Sequence, residues 1–306
     1  MDELLNSNQR FVVLIQHCFI LDEPEHCLQK KPFLVIMITV APHNRVARNA
    51  IRDTWAGETT VLGQRVSHFF LLGQAEDQDN YPQDQLLRES VEHRDLLQGD
   101  FVDTYHNLTI KTMLMLRWLD SRCPGAAYAV KTDSDTFVNV RGLVEELRTA
   151  PGRGYMTGSV VRKARVHRDP SSKWFMPDDE YSESTYPPYA MGLCYVFSMD
   201  LPGRLVAASW QVKAVWLEDV YLGMCMRYLG VDLTDPPAHS LFLTSKMFLS
   251  LKAPWKRIIA AELESPQQLL DVWRKYQMNQ YSYAMRAHSN DKLKMKQREN
   301  MSGFHL

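Results

Sequence analysis

Tyr128-Ala-Val-Lys-Thr-Asp-Ser-Asp-Thr-Phe-Val-Asn-Val140 is the stretch on which the reading of the fold turns. Ala127 to Val130 reads as a short apolar strand that runs into two carboxylates one residue apart, Asp133 and Asp135. Asp is disfavoured in strands and readily forms turns, so these two residues cannot both sit in a regular strand. Asn139 then precedes a helical pattern, Leu143, Val144 and Leu147. The carboxyl end of a parallel strand is where open α/β sheets bind ligands. Two hard oxygen donors at that edge suit Mg²⁺ or Mn²⁺ held against a diphosphate. A solvated turn capping the next helix is the competing reading at this point.

Upstream, Phe33 to Val40 is a nearly continuous apolar run between Lys31-Pro32 and Ala41-Pro42. That pattern marks a strand buried on both faces in a parallel sheet. Arg45 to Trp55 reads as the following helix, and its Arg48 and Arg52 share one face at i, i+4 spacing. Such a pair of cations can hold a phosphate, pair with carboxylates, or simply face solvent. Val66 to Gly73 is a second strand, 75–85 a polar loop, Leu86 to Leu97 a helix and Asp100 to Asp103 a short extended piece. A helix from Asn107 carries a methionine-rich stripe assigned to the core, and Pro124-Gly125 ends it. Strand and helix alternating in this way predict right-handed crossovers and a doubly wound α/β fold.

Downstream, the pattern predicts a helix over Arg141 to Arg148 and strands over Gly154 to Val161 and Leu193 to Ser198. Residues 162–189 form a long aperiodic stretch whose Trp174, Phe175, Tyr181, Tyr186 and Tyr189 argue against disorder. Aromatic rings with polar tips also suit the face of a sugar. A short helix spans Leu201 to Ser209. Glu218 and Asp219 open an amphipathic helix that ends near Gly230, where acids are favoured by the helix dipole alone. They gain interest only if that turn faces Asp133 and Asp135. Ser265-Pro266 opens a last helix with an N-cap and a first-turn proline. The segment before residue 33 reads as irregular, and the basic tail from Tyr281 as flexible.

The 306 residues are 45% hydrophobic and 23% charged with net charge −1, which leaves no basic field for nucleic acid. No run approaches the roughly 18 apolar residues of a membrane helix. Of the five cysteines, none forms a Cys-x-x-Cys or zinc spacing; five buried thiols and a set of bridges of unreadable connectivity both remain open. Asn107-Leu-Thr109 and Asn300-Met-Ser302 match the N-glycosylation pattern.

Taken together, these stretches resemble the β1,3-galactosyltransferase and β1,3-N-acetylglucosaminyltransferase family. The pieces that carry the likeness are Asp22-Glu-Pro24 with Cys27, Arg48-Asn-Ala-Ile-Arg-Asp-Thr-Trp55, Phe69 to Gly73, Asp100 to Asp103 through Asn107 to Thr112, and Lys131-Thr-Asp-Ser-Asp135. Further on come Lys173-Trp-Phe175, Tyr186-Pro-Pro-Tyr189, Tyr195-Val-Phe-Ser198 and Glu218-Asp-Val-Tyr221. They run in family order from about residue 20 to 277. Lys131 to Asp135 is closer to the galactosyl branch.

The resemblance implies a GT-A fold with a Rossmann-like, mostly parallel sheet. It also implies a UDP-sugar donor, Mn²⁺ (or Mg²⁺), an acceptor glycan on glycoprotein or glycolipid, and no nucleic-acid partner. A type II Golgi membrane anchor would precede this chain, with the catalytic domain lumenal. Residues 1–32 would then be stem-like, 33–277 the catalytic domain and 278–306 the tail. By the same analogy, Asp135 and Asp133 hold the metal and Asp219 is the general base. Arg48 and Arg52 help bind the nucleotide or brace the donor floor. Trp174, Tyr189, Gly192, Glu218 and Asp133 line the substrate.

Two departures stand out. Ala190-Met-Gly-Leu-Cys194 replaces the family's run of small residues, so Met191 and Leu193 are expected to crowd the sugar. Glu262 stands where the family has a histidine about four residues before the proline, and is expected to serve as a third metal ligand. The leading expectation is transfer of galactose to a 3-hydroxyl with inversion. The alternatives are a UDP-N-acetylglucosamine-using enzyme and a catalytically silent Golgi binding or chaperone protein.

Overall fold

The computed structural model describes residues 17–76, 81–244 and 254–278. In chain order its elements are β1 (Phe19–Leu21), α1 (His26–Lys30), β2 (Leu34–Thr39), α2 (Arg45–Arg52), β3 (Thr60–Val61) and β4 (Gln64–Gln74). Then come α3 (Gln83–His93), β5 (Leu96–Val102), α4 (Leu108–Arg122), β6 (Tyr128–Asp133), β7 (Thr136–Val138), α5 (Val140–Leu147) and β8 (Met156–Val161). β9 (Tyr189–Ser198), α6 (Leu201–Ser209), α7 (Glu218–Tyr228), β10 (Phe242–Leu243) and β11 (Ala260–Glu262) follow, with α8 over residues 266–278.

The main sheet runs β1-β5-β4-β2-β6-β9-β8, with β3 paired to β4. β5, β4, β2 and β6 are mutually parallel and form its centre. β1 and β9 flank that centre antiparallel, and β8 at the far edge pairs antiparallel with β9, so it runs in the direction of the central strands. The chain lays β4 and β5 on one side of β2 and then returns to place β6 on the other. The strand order therefore reverses between β2 and β6, whose carboxyl ends meet at Thr39 and Asp133. Ligands bind open α/β sheets at such a switch point.

Both faces of the centre are dry. All six residues of β2 are buried, with Ile36 and Ile38 in one apolar cluster and Val35 and Met37 in the other. Helices α2, α5 and α8 close the first face, and α4, α6 and α7 the second. The methionine stripe of α4 is core, as expected: Met113 and Met115 are fully covered.

Four expectations change. The helix expected over Leu86 to Leu97 ends at His93, because Arg94 turns left-handed (φ 55°). Leu96 and Leu97 then enter β5, one leucine for each face of the sheet. Residues 17–32 are not irregular, for β1 pairs with β5 and Trp118 donates to Asp22 at 2.6 Å. A Cys27–Cys123 disulfide also ties α1 to the end of α4. Closing a loop of 96 residues constrains the unfolded chain by about 4–5 kcal/mol in the entropic account. Helix α7 is buried on nearly every side rather than amphipathic, and Gly223 lets it lie against the Pro188 carbonyl, 2.5 Å from where a Cβ would stand. Finally, β10, β11 and β7 make a second small sheet, too short for periodicity to reveal.

The aromatic stretch 162–189 is ordered without regular elements. Arg168 donates to the carbonyls of Met176, Tyr181 and Glu183, while Met176, Tyr181 and Tyr186 are buried. The Asn107 sequon is engaged in the fold: its amide donates to the Val102 carbonyl and the Thr109 hydroxyl to Val215. Tyr281, the basic tail and the Asn300 sequon lie outside the described residues.

Candidate active site

The site is assembled around a lysine that an apolar strand carries inward. Lys131 lies on β6, two residues before Asp133 and on the same side of the strand. It is 2% exposed, and its ammonium donates to Asp133 Oδ1 (2.7 Å), the Gly192 carbonyl (2.5 Å) and Glu218 Oε1 (3.1 Å). The first turn of α7 therefore does face Asp133. Burial disfavours the charge on Lys131, but Asp133 and Glu218 outweigh it and hold the ammonium above its usual range.

Glu218 is buried as well. Its other oxygen accepts from Tyr195 at 3.1 Å and Thr112 at 3.4 Å. Burial pushes its carboxyl up to about 7 against the pull of Lys131, with Asp219 and Asp133 adding to the rise. Asp219, half-buried, accepts from the Gly192 N–H (3.0 Å) and from the Val220 N–H at its own helix start (2.8 Å). Burial raises its pKa too, opposed by those two backbone donors. A base held by backbone donors and lifted in pKa is positioned to accept a proton from a neighbouring hydroxyl.

Gly192 stands in the middle. A Cβ there would sit 2.8 Å from Glu218 Oε1, 3.6 Å from Lys131 Nζ and 3.7 Å from Asp219 Oδ2. Any side chain would have to displace the Glu218 carboxylate. Leu193 leans on the opposite apolar cluster, away from this group of side chains.

Asp133 also accepts from the Thr39 hydroxyl at 2.7 Å, across the switch point. Asp135 is exposed in the turn after β6, and its carbonyl accepts from Leu263 N at 2.7 Å. That bond draws β11 alongside and sets Glu262 opposite Thr136. Yet among the described residues no three His, Cys, Asp or Glu are grouped as metal ligands. The expected Asp133, Asp135 and Glu262 set is thus not a ready-made cage. A hard divalent ion needs none when it arrives with a diphosphate, because one or two carboxylates plus phosphate oxygens complete its shell. The carboxylates of Asp133, Glu218 and Asp219 against one lysine also leave negative charge over. The residues fit Mn²⁺ or Mg²⁺ on these terms.

Arg48 and Arg52 behave differently from a nucleotide clamp. Arg48 is fully buried, donating bidentately to Glu89 at 2.7 Å and to the Ala41 and Pro42 carbonyls. Arg52 pairs with Asp95 at 2.8 Å and with Glu89 at 2.8 Å. No guanidinium face of Arg48 remains for a ligand, which corrects the expectation of direct contact. Its role is to brace the loop that leaves β2 at the switch point.

Trp174 is 43% exposed. Tyr189 is half-buried, its hydroxyl pushed up to about 12 by burial and by the charge of Asp219. Lys131, Tyr195 and Tyr105 were absent from the expected site. Lys131 carried a legible signal, a lone cation inside an apolar strand at i, i+2 from the acid. Tyr105 carried none.

A family model described as Galactosyltransferase matches residues 46–237. Beta-1,3-galactosyltransferase 2 of Homo sapiens is 36% identical over 267 residues, which cover 86% of this chain and 63% of that protein. The chain thus spans less than two thirds of that relative's length. Beta-1,3-galactosyltransferase 1 of Mus musculus is 39% identical over 258 residues, covering 83% of this chain and 77% of its own. Among solved structures, the galactosyltransferase LgtC in complex with donor and acceptor sugar analogues aligns with 76% of this chain and 87% of its own. At a TM-score of 0.38 and 10% identity, that likeness adds no weight. The sequence relationship is sufficient: the chain belongs to the galactosyltransferase family.

Proposed function

We propose that the protein is an inverting β1,3-galactosyltransferase that moves galactose from UDP-galactose to the 3-hydroxyl of an acceptor glycan on protein or lipid. The carrying observation is Asp219, fixed by the Gly192 and Val220 N–H groups next to the Lys131–Asp133 pair at the sheet's switch point. A sugar hydroxyl is a poor nucleophile, so Asp219 takes its proton as the new C–O bond forms. One placed acid–base group contributes about 10²–10⁴-fold. Lys131 orients Asp133 and holds Glu218 beside Asp219. Asp133 and Asp135 would hold Mn²⁺, with Mg²⁺ as the other candidate, and such an ion supplies neutralisation of the charge on the departing UDP. Trp174 and Tyr189 offer ring faces to the sugars.

The Cys27–Cys123 bridge supports an oxidising compartment, in keeping with a lumenal Golgi domain held by a type II membrane anchor. No helix among the described residues is long and apolar enough to cross a membrane, so that anchor would lie elsewhere in the protein. One observation favours a silent binding or chaperone protein instead, namely that Asp133, Asp135 and Glu262 are not preassembled as a ligand set.

The test is UDP release from UDP-galactose and UDP-N-acetylglucosamine, each with Mn²⁺, Mg²⁺ or chelator, with and without a panel of acceptor glycans. Acceptor-stimulated, metal-dependent release from UDP-galactose is expected. Metal-dependent donor binding with no release on any acceptor would give the silent reading its place.

A further inference from the structure

A cavity of about 1300 Å³ lies between the end of β5, the start of α4, the 162–189 stretch and the segment entering α7, where its wall residue Trp216 stands two positions before Glu218. Its walls include the rings of Phe101, His106, Phe175 and Trp216. Tyr105 joins it to the site. Its ring packs 5.6 Å from Trp216 at 61°. Burial raises the Tyr105 hydroxyl's pKa, and the charges of Asp219, Asp133 and Glu218 raise it further, so those carboxylates are within electrostatic reach. The His106 ring lies 4.9 Å from the same indole, tilted at 54°.

We propose that this cavity receives the inner sugars of a neutral oligosaccharide acceptor, whose terminal residue passes Tyr105 to present its hydroxyl to Asp219. The inference rests on the transferase reading above and adds the acceptor's size and charge to it. Size comes from volume: pockets for drug-sized ligands run to roughly 300–1,000 Å³, so one hexose would leave most of this space to water. Chemistry comes from the walls, because aromatic faces pack on the C–H faces of pyranose rings while ring edges and backbone satisfy hydroxyls. Charge comes from the rim. Glu76, Asp100 and Glu180 line the cavity against Lys173, with Asp100 bonded to His17 at 2.7 Å. A sulfated or sialylated chain would meet like charge there.

Binding measured by calorimetry with UDP and Mn²⁺ present tests this without requiring turnover. The probes are galactose, N-acetylgalactosamine and N-acetylglucosamine, neutral tetrasaccharides ending in each, and a sulfated form of the best tetrasaccharide. A tetrasaccharide should bind at least about tenfold more tightly than its terminal monosaccharide, and sulfation should remove a similar factor. Tyr105→Ala and Phe175→Ala should each erase the length advantage, and Tyr105→Phe, which keeps the ring, should retain most of it. Equal affinity for short and long probes, equal loss of both in the variants, preference for the sulfated chain, or no saccharide binding at all would each overturn the proposal. Absence of UDP release in the presence of length-dependent binding would defeat the transferase reading while leaving the cavity's assignment standing.

Discussion

Two buried charge clusters sit on either side of the loop that leaves β2, and they differ in how their charges balance. Between α2, α3 and β5, Arg48 and Arg52 meet Glu89 and Asp95, with Arg45 at the edge of Glu89 and His68 bonded to Asp95, so no carboxylate lacks a cation. Between β6, β9 and α7, Lys131 alone faces Asp133, Glu218 and Asp219. A closed set of charges holds elements together and asks for nothing more. An open set must find protons or a ligand: burial first, and then the charges of Asp219 and Asp133, lift Glu218 to about 7 against the pull of Lys131. The same residue types serve as brace in one place and as chemistry in the other. Charge balance separates them.

The largest expected break is at the open cluster. Asp219→Asn should lower acceptor-dependent transfer by about 10²–10⁴-fold. Donor affinity should stay within a few-fold, because a base acts in the transition state. Near-normal turnover in that variant would move the base to Glu218.

At the closed cluster the expectation inverts. Arg48→Met strips buried Glu89 of its bidentate partner and should cost about 3–5 kcal/mol in urea unfolding. Turnover of the folded fraction should hold within a few-fold. Adding Glu89→Met should restore much of the stability, since an apolar pair of similar volume often replaces a buried ion pair without loss. Unchanged stability together with lost donor affinity would make Arg48 a ligand contact after all.

The smallest effect is in pH dependence, and there the two clusters slope in opposite directions. Burial alone would raise the Asp95 pKa, but hydrogen bonds from His68 and Arg52 bring it down from 3.8 to about 2. The stabilisation this gives is present above about pH 4 and disappears as pH falls toward 2, worth about 2 kcal/mol. Glu218 is shifted upward from 4.5, so its contribution is present below about pH 4.5 and is lost as pH rises through about 7. Melting temperatures of Asp95→Asn and Glu218→Gln across pH 2–8 separate the two. Asp95→Asn should flatten the acid limb and Glu218→Gln the neutral one; parallel curves would deny the contrast.

Much of this was legible in the residues. The apolar run ending at Val40 and the Asp-x-Asp turn located the central strands and the switch point, because doubly buried strands leave little room for another reading. The helix over 86–97 misled because periodicity could not register Arg94 turning left-handed, nor that two adjacent leucines would serve two faces of β5. Arg48 and Arg52 were recognised as a pair, but their partners lie some forty residues away, and local spacing carries no record of Glu89 or Asp95. Cys27 and Cys123 stood open for the same reason. β11 was too short to show, so Glu262 could be placed by resemblance alone.

The tightest tolerance in the active site belongs to a residue with no side chain. Gly192 offers one N–H and one carbonyl, and the space where a methyl would stand is already taken by Glu218. For anyone wishing to retune the proposed transferase, position 192 is the hardest to change, since even alanine would have to displace the Glu218 carboxylate from Lys131. In that reading, variation in sugar preference enters through the surrounding rings of Tyr105, Trp174 and Trp216. The catalytic centre and its specificity can then diverge independently, one frozen and the other free to drift.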